Sequence, residues 1–143
     1  MPTDAPGRER VIFLCTHNSA RSQMAEGMLR AWAPARFEAF SAGTVRTELR
    51  PEAVEAMREI GIDISAQLSK SIDQLGGRRF DRLVTVCDEA REACPTLPGV
   101  RRQEHWQIDD PSAVDGSAEE RIAAFRRARD DLAHRVRAIA ESG

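Results

Sequence analysis

No apolar run in the sequence approaches the roughly 20 residues of a membrane-spanning helix, which excludes a transmembrane segment. Basic residues are not in excess: Lys+Arg 21 against Asp+Glu 23 gives a net charge of −2. A dedicated nucleic-acid binder, which carries a basic surplus, is therefore not expected. The opening Met1-Pro2-Thr3-Asp4-Ala5-Pro6-Gly7 has no basic stretch leading into an apolar core, so an export signal is not expected and a cytoplasmic location is. There is no C-x-x-C and no paired histidine; His17, His105 and His134 are scattered, and no metal site is expected. Cysteine is scarce and odd in number, three in all, which argues against a structural disulfide framework. Lysine is scarcer still, a single Lys70 among 21 basic residues. Repeats, low-complexity blocks and long linkers are also missing. The 143 residues suit one domain of 9–143 behind a flexible, Pro/Gly-rich tail of 1–8.

What is present alternates between strands and helices. Val11 to Leu14 is a short continuous apolar run, as in a strand buried on both faces. Ser19 to Trp32 has helical periodicity through Met24, Met28, Leu29 and Trp32. Phe37 to Phe40 reads as a second strand, closed by Ser41-Ala42-Gly43. Pro51 opens a helix that runs to Ile60 and that Gly61 terminates. Leu83 to Val86 is a third strand ending at Cys87, and residues 101–106 a fourth. Ser117 and Glu120 form a capping box for a last helix, with Ile122, Phe125, Leu132, Val136 and Ile139 on its buried stripe. This pattern predicts an α/β fold, a single domain with a four-stranded parallel sheet flanked by helices. Ligands of such sheets bind beyond the carboxyl ends of the strands, where Cys15, Cys87 and Asp109-Asp110 all fall.

Cys15-Thr16-His17-Asn18-Ser19-Ala20-Arg21-Ser22 places a cysteine at a strand end and an arginine at a helix start. Backbone N–H groups of Thr16, His17, Asn18, Ser19, Ala20, Arg21 and Ser22 can curl around one tetrahedral oxyanion. The helix dipole and Arg21 would favour the nucleophilic thiolate of Cys15. Arg21 could grip two anion oxygens at once, Asn18 suits a left-handed turn, and the Ser22 hydroxyl can serve the sulfur. On spacing alone, a buried structural cysteine beside a solvated arginine is the favoured reading; the strand–loop–helix context shifts the balance to the oxyanion site. Cys87 and Cys94 are seven positions apart, about 10.5 Å if helical, beyond the roughly 7 Å that a disulfide tolerates between Cα atoms. Bonding between them requires the polar intervening segment to unwind, so the pair is either a redox switch or two unrelated thiols.

The Cys15–Ser22 loop, the following Gln23-Met24-Ala25-Glu26 and Ser41-Ala42-Gly43 together resemble the low-molecular-weight protein tyrosine phosphatase superfamily, in particular its thioredoxin-coupled arsenate reductases, over residues 10–140. The resemblance implies a three-cysteine relay: Cys15 as nucleophile, then Cys15–Cys87 and Cys87–Cys94 disulfides, with thioredoxin as recycling partner and no organic cofactor. It assigns Asp110, directly before Pro111, as the proton donor, with Asp109 second. It implies arsenate, or phosphate and sulfate, as the bound oxyanion, a role in arsenic detoxification, and a monomer. The alternative is a phosphatase needing only Cys15, Arg21 and Asp110, against which stands the absence of tyrosine and an aromatic content of 5%. Many members of the reductase branch bind potassium; the matching positions here are Asn18, Glu26, Ser41 and Lys70. Lysine stands where those members carry aspartate, so the ammonium is expected to replace the ion and to pair with Glu26.

Overall fold

The computed structural model describes residues 8–18, 20–44, 47–75, 78–88 and 97–141. Four strands, β1 (Glu9–Cys15), β2 (Phe37–Gly43), β3 (Arg82–Cys87) and β4 (Arg102–Gln107), form one parallel sheet in the order β2-β1-β3-β4. Alternation along β1 divides its side chains between two layers. Val11 and Phe13 join the main core, with Met24, Met28, Met57, Phe125 and Leu132 from the helices. Ile12 and Leu14 face the other way, into a smaller cluster with Leu75, Phe80 and Leu83. The central strands are thus apolar on both faces, as the unbroken run 11–14 requires.

Three helices flank the sheet: α1 (Arg21–Trp32), α2 (Pro51–Arg58) and α3 (Ala118–Glu141). The capping box is reciprocal: Glu120 N–H donates to Ser117 Oγ at 3.1 Å and Ser117 N–H to Glu120 Oε1 at 3.0 Å. Hydrogen bonding from Ser117, its backbone N–H first and its side chain second, holds the Glu120 carboxyl below its usual range. α2 closes as Gly61 enters the left-handed region at φ 81° and Ile62 N–H returns to Met57 O at 3.0 Å.

Several boundaries differ from the sequence reading, each for a physical reason. α1 starts at Arg21 rather than Ser19, because Asn18 at φ 52° turns the chain out of helical geometry. α2 stops at Arg58, two residues short of Ile60, its last turn being spent on the Gly61 cap. β2 continues through Ser41–Gly43, which pair with Phe13–Cys15. β4 is shifted by one residue because its mostly polar, half-exposed sequence carries little periodic signal. The tail at 1–7, Ser19 and the segment 89–96 with Cys94 lie outside the described residues. Among the described residues, no helix is long and apolar enough to cross a membrane.

Candidate active site

β1 and β3 are neighbours, yet β2 follows β1 on its other side, so the chain reverses direction of travel between them. Such a switch opens a crevice at the carboxyl ends of the strands. Cys15 ends β1 on one side of it and Cys87 ends β3 on the other.

Cys15 is buried and is a free thiol. Its sulfur lies 2.8 Å from Ser22 Oγ and accepts the Asn18 N–H at 3.2 Å. Asn18 Nδ2 donates to the same Ser22 Oγ at 2.8 Å, leaving the hydroxyl hydrogen available to the sulfur. Two donors therefore converge on Cys15, the arrangement that stabilises an anionic sulfur. The loop can approach β2 this closely because residue 43 is glycine: a Cβ there would stand 2.8 Å from both Asn18 N and Thr16 O. The outer side of the loop is pinned at the His17 carbonyl, which accepts the Thr47 hydroxyl at 3.0 Å and the Ser69 hydroxyl at 3.3 Å. The His17 side chain itself is exposed.

α1 has no acidic residue in its first turn and no side-chain cap, so its positive end faces the loop uncompensated. Arg21, 3% exposed, donates from Nη1 to Ile108 O at 3.0 Å and places Nη2 3.7 Å from Asp110 Oδ2. Asp110 caps the 3-10 turn Pro111–Ala113 with its other oxygen, accepting Ser112 N–H at 2.9 Å. Asp109 is exposed. A cleft of roughly 470 Å³ opens beside the loop, lined by His17, Thr47, Glu48, Leu49, Arg50, Pro51, Asp110 and Ser112. Among the described residues, its wall holds no Phe, Tyr or Trp.

Cys87 is fully buried and disulfide-bonded. The following Asp88 is also buried and accepts Gln107 Nε2 at 2.6 Å.

Asn18, Glu26, Ser41 and Lys70 are brought together, with one neighbour that the sequence did not reveal. Glu26, 4% exposed, accepts the Ser41 hydroxyl at Oε1, faces Lys70 Nζ across 3.6 Å, and takes Arg30 Nη2 at Oε2. Asn18 Oδ1 is occupied by Lys70 N–H at 2.7 Å and Gln23 Nε2 at 3.3 Å. A cation needs oxygens free of donors, and here both carboxylate oxygens and the amide oxygen already face hydrogens or charge. These residues do not fit a bound potassium ion. Arg30 was missed because its contact with Glu26 is an ordinary i,i+4 pair in sequence, indistinguishable from a solvated one. Gln23 and Gln67 were missed as well, since neither residue type signals chemistry.

A buried free cysteine at a strand end, an arginine at the start of the following helix and a carboxylate facing that arginine meet on one rim, a set of groups able to bind an oxyanion beside a thiol. The match to known proteins is specific. Residues 10–142 fit the model of the low molecular weight phosphotyrosine protein phosphatase family. An arsenate reductase of Halalkalibacterium halodurans is 44% identical over 133 residues, 93% of this chain and 96% of that protein. An arsenate reductase solved in its phosphate-binding state superposes with a TM-score of 0.78 at 29% identity, over 92% of this chain and 96% of that one. A thioredoxin-dependent arsenate reductase of Corynebacterium glutamicum gives a TM-score of 0.63 at 26% identity, over 94% of this chain and 64% of that one. The chain belongs to the low molecular weight phosphotyrosine protein phosphatase family, within which it groups with the arsenate reductases.

Proposed function

We propose that the protein reduces arsenate to arsenite with its own thiols, regenerated by an external dithiol of the thioredoxin type. The observation that carries this reading is the contrast between the two cysteines at the switch point: Cys15 is a free thiol in an anion cradle while Cys87 is in a disulfide. That is the state expected once Cys15 has been released from its reaction partner.

In the first step the Cys15 thiolate attacks arsenic, the new S–As bond replacing an As–O bond. Asp110, when protonated, delivers the proton with which that oxygen leaves as water. Arg21 and the loop N–H groups hold the remaining oxygens. In the second step the Cys87 thiolate attacks the Cys15 sulfur. The S–As bond breaks, its electron pair stays on arsenic, and arsenic(V) leaves as arsenic(III) while Cys15 and Cys87 become a disulfide. In the third, the Cys94 thiolate attacks Cys87, Cys15 departs as thiolate, and the Cys87–Cys94 disulfide is passed to the external dithiol. Each turnover moves two electrons, and no organic cofactor or metal takes part.

A phosphatase would use only Cys15, Arg21 and Asp110, and the family match leaves that chemistry open. The cleft wall disfavours an aryl phosphate, because among the described residues it offers no Phe, Tyr or Trp to stack on. The deciding experiment couples the protein to thioredoxin, thioredoxin reductase and NADPH. Arsenate-dependent NADPH oxidation is expected from the wild type, and a single round of arsenite release from Cys94→Ser. Turnover of Cys87→Ser and Cys94→Ser at the wild-type rate would overturn the relay.

We further infer that Lys70, with Arg30, supplies the positive charge that other members of the branch take from potassium. Glu26 is then neutralised from within the chain. Activity at fixed ionic strength and fixed sulfate is expected to be the same in potassium and choline salts; a several-fold rise with potassium would overturn the inference.

A further inference from the structure

Asn18 does three things at once: its N–H reaches Cys15, its Nδ2 reaches Ser22, and its backbone sits at a positive φ unusual for a residue with a Cβ. Something must hold it there. Gln23, in the first turn of α1 and fully buried, lies behind it. Gln23 Nε2 donates to Asn18 O at 3.1 Å and to Asn18 Oδ1 at 3.3 Å. A buried amide that spends both N–H bonds on one neighbour orients that neighbour as well as binding it.

The orientation of the Gln23 amide is fixed in turn from outside. Gln67 Nε2 donates to Gln23 Oε1 at 2.8 Å and to Gln23 O at 3.0 Å, across 44 residues of sequence. Gln67 Oε1 accepts Arg30 Nη1 at 3.3 Å, which leaves Nε2 as the end facing Gln23. Contact at this range depends on glycine at 27: a Cβ there would meet Ile64 Cγ2 at 2.5 Å and Gln67 Oε1 at 3.2 Å. The donors run in one direction, Arg30 to Gln67 to Gln23 to Asn18 to Ser22, and stop at the Cys15 sulfur. Gln67 and Arg30 also line an open groove between α1 and residues 61–70, so the outer end of this chain meets solvent.

We propose that Gln23 and Gln67 form a two-amide clamp that sets the Asn18 turn, making Gln23 a positioning residue for the reactivity of Cys15. The proposal rests on Cys15 being the nucleophile, but not on arsenate being its substrate. Gln23 touches neither sulfur nor bound anion; it acts through Asn18.

The test measures alkylation of Cys15 by iodoacetamide in the Cys87→Ser/Cys94→Ser background, where Cys15 is the one thiol, as a function of pH. Gln23→Met keeps the volume and removes the donors. It is expected to slow alkylation near neutral pH by about tenfold, the loss of aligned donors to a charged group. The deficit should vanish at alkaline pH, where every thiol is ionised. Gln23→Glu, which faces the Asn18 oxygens with a carboxylate, should restore none of it. Gln67→Met should give a smaller loss of about threefold, the scale of one neutral hydrogen bond. The double variant should be no slower than Gln23→Met alone, since Gln67 acts only through Gln23. A core variant such as Leu132→Ala serves as control for lowered stability. The clamp is overturned if Gln23→Met melts lower yet alkylates like the wild type at every pH, or if the two losses multiply. Should Gln23→Met fail to fold, Gln67→Met and Gln67→Glu decide alone, with wild-type alkylation in both counting against the clamp. An inactive arsenate assay with an intact alkylation pattern would indict the proposed substrate and leave the clamp standing.

Discussion

Two polar networks tie distant parts of this chain together, and they are built on opposite principles. Around Asn18 the partners are buried, and neutral amides and hydroxyls set the geometry. Around Glu59, at the junction of α2 and α3, the partners are ions, Arg126 exposed and Arg129 buried. Arg126 reaches both carboxylate oxygens at 2.6–3.1 Å, and Arg129 adds a bond of 2.7 Å while donating to Ala56 O at 2.9 Å. The first network has direction, because each amide must present a donor to one side and an acceptor to the other. The second has strength without direction, because water and salt can screen or replace any one contact. Geometry is concentrated where chemistry requires it, and charge where only attachment is needed.

Substitutions can break this contrast at several levels. Cys15→Ser is expected to remove arsenate-dependent NADPH oxidation to background while the circular dichroism spectrum is unchanged, since no other group can form the thiol adduct. Arg21→Lys keeps the charge and loses the planar fork, and kcat/KM should fall about 100-fold, the scale of losing an oriented transition-state donor. Asp110→Asn keeps the cap on Ser112 N–H but cannot deliver a proton. A loss of about 100-fold in single-turnover arsenite release is expected at neutral pH.

Gly43→Ala tests the close approach itself. The added carbon meets backbone atoms that cannot swing aside, so about 1–3 kcal/mol of stability should be lost in urea unfolding, with Cys15 alkylation slowed as well.

Glu59→Gln should leave turnover unchanged, lower stability at neutral pH and flatten the loss of stability on the acid side. Its two arginine partners lower the Glu59 pKa from 4.5 to about 2, through hydrogen bonds first and charge second. A carboxylate lowered in the folded state stabilises fully above its ordinary pKa, and that contribution drains away as pH falls from about 4.5 towards 2. Melting temperature should therefore drop more steeply across that interval in the wild type than in Glu59→Gln. Equal slopes would show that the ion cluster carries no net stability.

How far each network could be read in advance follows from how local it is. The strand 11–14 and the Ser117–Glu120 capping box are signalled by residues within a few positions of one another, and they stand as expected. Cys15, Arg21 and Asp110 stood out in the sequence by residue type and position, and the structure gathers them at one end of the sheet. The Lys70–Glu26 pairing was legible as an odd residue at a matched position, and it is present at 3.6 Å. Gln67 on Gln23 could not be read, because a glutamine carries no chemical signature and its partner is 44 residues away. The start of α1 was misplaced for a similar reason: the turn at Asn18 depends on acceptors and donors from residues 23 and 70, not on its own neighbours.

The bond from Lys70 N–H to Asn18 Oδ1 spans 52 residues, which has a consequence for the order of folding. β1 and α1 are local and can assemble while later residues are still being added. The Asn18 turn is not self-sufficient, and waits for a long-range closure that is slow relative to local structure. Until residues 67–70 dock, Asn18 lacks the partners that hold its turn, so its contacts with Cys15 and Ser22 are a late product of folding.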